Sequence, residues 1–226
     1  MASPMDELKG GLIVSCQAPV ESPLHSPVVI AAMAKAAINQ GAAGVRIDTP
    51  AHIEAVRAQV NAPIIGLWKQ VFPESEVYIT PQFVHAEAVA AAGADIIAID
   101  ATDRPRPGDE SLARLIARIH AELGKPVMAD VDTLENAIAA AGCGADWVGT
   151  TLYGYTAATR HLSPPGFDLL HQMGEKLAVP VICEGGISSP EQVRQALDLG
   201  AYAVVVGTAI TGIDILVNRY VQQVSG

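Results

Sequence analysis

The chain has 226 residues, half of them apolar and 17% charged, with 14 basic against 24 acidic side chains and a formal net charge of −10. This apolar content excludes a disordered chain, and the acidic balance argues against general nucleic-acid binding, which needs clustered Lys and Arg. A single core at this length buries roughly 70–75% of the unfolded surface, so neither disulfide nor structural metal is required.

The opening Met1-Ala-Ser-Pro-Met-Asp-Glu7 is acidic and lacks the basic start and apolar core of a signal peptide. Residues 1–10 read as an extension on a single domain spanning 1–226. Short β-branched runs then alternate with Ala/Leu-rich stretches to the end. The runs predict strands at Leu12–Cys16, Gly44–Ile47, Ile64–Leu67, Asp95–Ile99, Val127–Ala129, Trp147–Gly149, Val181–Cys183 and Ala203–Val206. Helices are predicted near 27–40, 50–60, 82–92, 111–123, 133–142, 166–178, 189–198 and 213–223.

The punctuation repeats as well. Gly41-Ala-Ala-Gly, Ala92-Gly-Ala-Asp, Cys143-Gly-Ala-Asp and Leu199-Gly-Ala-Tyr each close a helix before a strand, where glycine supplies the left-handed cap. Pro63, Pro126 and Pro180 each stand just ahead of a strand, where a helix stops. Eight βα units at about 25-residue spacing point to an α/β fold, a (β/α)8 TIM barrel. An open doubly wound sheet is the runner-up.

No run of 18 apolar residues appears, so the chain reads as soluble and cytoplasmic, with no membrane partner. Cys16, Cys143 and Cys183 form no C-x-x-C pair, and the six histidines fall outside strand ends, so no metal and no cofactor are expected. Cys16 and Cys183 read as small buried apolar residues.

A barrel of this kind carries its chemistry at the C-terminal strand ends. There the sequence places Gln17, Arg46 with Asp48, Lys69, Asp100 with Asp103, Asp130 with Asp132, Thr150 with Tyr153, Glu184, and Gly207-Thr208. Asp48, Asp132 and Thr150 read mainly as helix caps. Cys183-Glu-Gly-Gly-Ile187 and Val206-Gly-Thr-Ala-Ile210 put glycines after the last two strands, the recurrent phosphate site of such barrels. A small phosphorylated metabolite is therefore the expected ligand. Lys69, just past Leu67-Trp68, reads either as a desolvated amine fit for acid–base work or as a rim lysine with its stem on the barrel. Arg46 reads either as a ligand contact or as a partner of Asp48 or Asp130. From the residues alone, this is a barrel enzyme using acid–base or Schiff-base chemistry with a lysine.

Taken together, the motifs resemble N-acetylmannosamine-6-phosphate 2-epimerases over about residues 11–211. The resemblance rests on Gly11-Leu-Ile-Val-Ser-Cys-Gln17, Ala43-Gly-Val-Arg46, Ile65-Gly-Leu-Trp-Lys69, Tyr78-Ile-Thr-Pro81 and Ile97-Ala-Ile-Asp-Ala-Thr102. Met128-Ala-Asp-Val131, Gly149-Thr-Thr-Leu-Tyr-Gly-Tyr-Thr156, Glu184-Gly-Gly-Ile187 and Val206-Gly-Thr-Ala-Ile-Thr211 continue it. It implies inversion at C2 between N-acetylmannosamine 6-phosphate and N-acetylglucosamine 6-phosphate, in sialic acid breakdown. By that resemblance Lys69 is the acid/base at C2, and Glu184 assists at the ring oxygen or C1 hydroxyl. Gln17, Arg46 and Asp130 hold the sugar and its acetamido group. Gly185, Gly186, Gly207 and Thr208 hold the phosphate.

One departure stands out: Gly212-Ile213 occupy the place where the family usually has Arg-Pro. The alternatives to an epimerase are a Schiff-base aldolase and a non-catalytic binder of a sugar phosphate. A homodimer through outer helices is compatible with the chain, although the Ala-rich faces at 31–37 and 86–92 read as core.

Overall fold

The computed structural model of the protein describes residues 4–224. Its strands are β1 (Leu12–Cys16), β2 (Gly44–Asp48), β3 (Ile64–Leu67), β4 (Ile96–Asp100), β5 (Val127–Asp130), β6 (Trp147–Gly149), β7 (Val181–Glu184) and β8 (Ala203–Val206). Each pairs in parallel with its sequence neighbour, and β8 returns to β1 through Ile13↔Val205, closing the barrel. The (β/α)8 expectation is met and the open sheet is excluded.

The helices are α1 (Pro4–Glu7), α2 (Pro27–Asn39), α3 (Pro50–Arg57), α4 (Phe83–Ala91), α5 (Leu112–Arg118), α6 (Leu134–Gly142), α7 (Phe167–Lys176), α8 (Pro190–Asp198), α9 (Thr208–Thr211) and α10 (Ile213–Val224). Prolines at the first positions of α2, α3 and α8 start these helices without losing a bonded N–H. Ser111, Thr133 and Ser189 cap α5, α6 and α8 by accepting from the backbone N–H of Arg114, Asn136 and Gln192. α5 runs on into a wider π turn over Ile119–Leu123.

The strands are apolar throughout because both faces are covered. Ile13, Ile65, Leu67, Met128, Trp147, Ile182 and Val205 fill the barrel interior together with Leu8. Val14, Val45, Ile47, Ile97, Ile99, Val148 and Val204 face the helices. Ala31, Ala34 and Ala86 are buried in that outer layer, as read from the Ala-rich faces. Cys16 and Cys183 are fully buried, and burial raises both thiols.

Four strands end one residue later than predicted, on Asp48, Asp100, Asp130 and Glu184. The apolar run stops before these residues, but the backbone ladder does not. β4 starts at Ile96 rather than Asp95. The Asp95 carboxylate accepts from the Ile64 N–H and pairs with Arg57, so it works as a corner tie between β3 and α3. α1 and α9 were not predicted. α10 follows α9 directly, and none of its side chains is fully buried. Among the described residues no helix is long and apolar enough to cross a membrane.

Candidate active site

Period-two alternation along β1, β2, β5 and β7 aims Ser15, Arg46, Asp130 and Glu184 inward at the C-terminal end of the barrel. A cleft of about 570 Å³ opens there, lined by Gln17, Arg46, Lys69, Glu184, Gly185, Gly186, Gly207 and Thr208. Eight of the nine site residues read from the sequence thus share one cavity. The ninth, Asp130, is fully buried beneath it, and its oxygens are taken up by Arg46 and Thr151.

The floor is an ion network. Arg46, only 2% exposed, makes a bidentate pair with Asp130 at 2.5 and 3.1 Å and reaches Glu184 at 2.9 Å. Burial works against its charge, but Asp130 and Glu184 more than offset that and keep the guanidinium protonated. Of the two partners read for Arg46, Asp130 is the one found. The Thr151 hydroxyl lies 2.6 Å from Asp130 and 3.2 Å from Glu184. Burial pushes the Glu184 carboxyl up to about 7, with Arg46 opposing and Asp130 adding to the shift. A carboxyl near 7 can both give and take a proton at neutral pH.

Lys69 stands on the opposite wall. Its Nζ donates to the Gln17 side-chain oxygen at 2.5 Å and lies 3.7 Å from Asp48. Of its two readings the rim position is the one found, because its side chain is 43% exposed where the strand end opens to the mouth. The Asp48 carboxylate also accepts from the Lys69 backbone N–H at 3.0 Å, which fixes where the lysine starts.

Gly185 and Gly186 have φ of +101° and +73°, left-handed values that favour glycine. A Cβ on Gly186 would stand 2.5 Å from the Pro164 Cβ, so the β6 loop closes directly against this turn. Two glycine-rich loops with side-chain-free backbone N–H groups therefore border the cleft.

The cap reading fails for three residues, because tertiary partners outcompete local ones. Asp48 serves Lys69 and Thr49. Asp132 accepts from Asn136 and Thr156, tying α6 to the long β6 loop. The Thr150 hydroxyl bridges the Glu184 backbone, donating to its carbonyl and accepting from its N–H. Asp100 is fully buried, does not line the cleft and pairs with Arg104 at 2.6 Å.

Sequence reasoning missed Ser15, Tyr78, Thr151, Ser188 and Arg219, which line the same cleft. Ser15 and Thr151 sit two residues from Gln17 and Gly149 on inward faces, a signal the strand alternation carried. Tyr78 comes from the β3–α4 loop, and burial pushes its phenol up to about 12.

Residues 30–226 match the family described as "Putative N-acetylmannosamine-6-phosphate epimerase". The chain belongs to that family. A member from Thermosynechococcus vestitus, named "Putative N-acetylmannosamine-6-phosphate 2-epimerase", is 66% identical over 215 residues, covering 95% of this chain and 93% of its own. A namesake from Synechococcus elongatus is 63% identical over 216 residues, with the same coverage. The solved structure of the N-acetylmannosamine-6-phosphate 2-epimerase from Clostridium perfringens is similar at a TM-score of 0.93 and 41% identity, covering 96% of this chain and 95% of that one.

Proposed function

We propose that the protein inverts C2 of N-acetylmannosamine 6-phosphate to give N-acetylglucosamine 6-phosphate, with Lys69 moving the C2 proton. The observation that carries this reading is that Lys69, just past β3, and Glu184, at the end of β7, meet from opposite sides of the barrel around one cleft bordered by glycine-rich loops. Membership of the family and the named relatives support the substrate.

A C2 proton becomes acidic only beside a carbonyl, so the sugar ring opens first. The Glu184 carboxyl gives its proton to the ring oxygen as the C1–O bond breaks, and the carboxylate so formed takes the C1 hydroxyl proton as that oxygen becomes the aldehyde. Lys69 then takes the C2 proton, and the electron pair passes through C2=C1 to the carbonyl oxygen as an enolate. The Lys69 ammonium so formed, and Arg46 across the floor, offset that charge. The planar enolate then turns its other face to the Lys69 ammonium, which returns the proton to C2 there and completes the inversion, and ring closure reverses the first step.

Gln17 holds Lys69 in position and, with Arg46, meets the sugar and acetamido group. Asp130 acts through Arg46. Gly185, Gly186, Gly207 and Thr208 take the phosphate. The reaction belongs to amino-sugar breakdown, where sialic acid degradation releases the substrate.

The test is proton NMR of N-acetylmannosamine 6-phosphate with the protein in deuterium oxide. Appearance of the gluco epimer with deuterium at C2 is the expected result. Neither epimer nor exchange would overturn the reading.

A further inference from the structure

We propose that Arg219, on α10, is the cation that binds the substrate phosphate; the identity of that phosphate as part of an amino sugar rests on the function proposed above. Leu216, Arg219 and Tyr220, at helical spacing i, i+3 and i+4, line the same cleft as Gly185, Gly186, Ser188 and Gly207. That one helix face thus borders the cleft together with the two loops after β7 and β8. The helix is set there from both ends of its first turn. Gly212 accepts from the Leu216 N–H at 2.9 Å, and the Ser22 hydroxyl of the β1 loop donates to Asp214 at 2.9 Å.

The charge balance at the mouth calls for such a group. Lys69 is held by Gln17 and Asp48, and Arg46 by Asp130 and Glu184. The basic side chains at the mouth are therefore already engaged, in a chain whose formal net charge is −10. A phosphate dianion entering that field is repelled unless a further positive charge meets it. Arg219 lines the cleft, and its side chain forms no ion pair or hydrogen bond with the other described residues, so its guanidinium is available for a two-pronged contact with phosphate.

The joint between α9 and α10 supplies no alternative. A Cβ on Gly212 would stand 2.8 Å from both the Cα and the carbonyl oxygen of Thr208, so this backbone leaves no room for a side chain there. The cation has to come from farther along, and Arg219, two turns on, is the one that reaches.

Calorimetric binding of inorganic phosphate and of N-acetylglucosamine 6-phosphate tests the proposal in the full chain. Arg219→Ala is expected to weaken both by roughly ten- to a hundred-fold, the scale of hydrogen bonds to a charged group, and to raise KM more than it lowers kcat. Arg219→Lys should recover part of the affinity, which a purely structural role would not produce, and Asn218→Ala on the exposed side should leave it unchanged. Equal affinity of the wild type and Arg219→Ala for both ligands overturns the proposal. A wild type that binds phosphate through Arg219 yet epimerises nothing would refute the proposed function and uphold this assignment. Epimerisation with phosphate affinity indifferent to Arg219 would do the reverse.

Discussion

Arg46 Nη1 stands 2.9 Å from Glu184 at the floor of the cleft and, together with Nη2, makes the bidentate contact with Asp130. One guanidinium therefore serves two carboxylates. Asp130, with no exposed surface, takes the shorter contact and anchors the charge, leaving Glu184 at the cavity wall with the raised affinity for a proton that the proposed ring opening needs.

Lys69→Ala should lower kcat by roughly 10²–10⁴-fold, the usual worth of a positioned acid/base, and abolish deuterium uptake at C2 to the same extent. Lys69→Arg should not restore either, because a guanidinium stays protonated. Borohydride added with substrate should leave Lys69 unmodified, since proton transfer needs no imine. A trapped sugar on Lys69 would instead move the chain to the aldolase class.

Glu184 makes stability depend on pH. Its proton is held more tightly in the folded chain, where the carboxyl rises from 4.5 to about 7. Its contribution is therefore full below pH 4.5 and is lost as pH climbs through 7. Denaturant unfolding from pH 4.5 to 7.5 should show the wild type losing about 3 kcal/mol against Glu184→Gln. Parallel stability curves for the two proteins would sink the idea.

Removing Asp130 leaves a buried guanidinium short of its main partner. Asp130→Ala should cost about 3 kcal/mol in urea unfolding and depress kcat as Arg46 drifts toward Glu184. A loss under about 1 kcal/mol would mean that Glu184 alone suffices to hold Arg46.

The α9–α10 joint depends on glycine for space rather than for φ, which is −83° at Gly212. Gly212→Ala should destabilise the chain by about 1–3 kcal/mol, because the clash is with Thr208 backbone and not with a movable side chain. It should also weaken phosphate binding by displacing α10. Thermal unfolding together with phosphate titration reads both effects, and an unchanged melting temperature would count against the clash.

The barrel was legible because eight buried strands bound by Gly-Ala and Pro signals leave few other arrangements of the chain. Most of the site followed from one rule, that chemistry collects at the C-terminal strand ends, and it led to Gln17, Arg46, Lys69 and Glu184 lining a single cleft. Strand ends were misjudged by one residue wherever a carboxylate closed the ladder, since side-chain polarity marks the end of the core and not the end of pairing. The caps assigned to Asp48, Asp132 and Thr150 failed because a cap is a local inference, and each of these side chains found a partner brought by another strand or loop.

What the sequence determined by itself was the order and period of the elements, hence the closed sheet and which side chains point to its mouth. Only the tertiary structure decided how those side chains pair. It gave Arg46 to Asp130 and Glu184, left Lys69 half open against Gln17, and brought Arg219 to the cleft from the last helix. The reason is distance along the chain. Alternation is set by neighbours two residues apart, whereas ion pairs join residues up to 138 positions apart, as Arg46 and Glu184 are, and form only once barrel closure has brought the strands round.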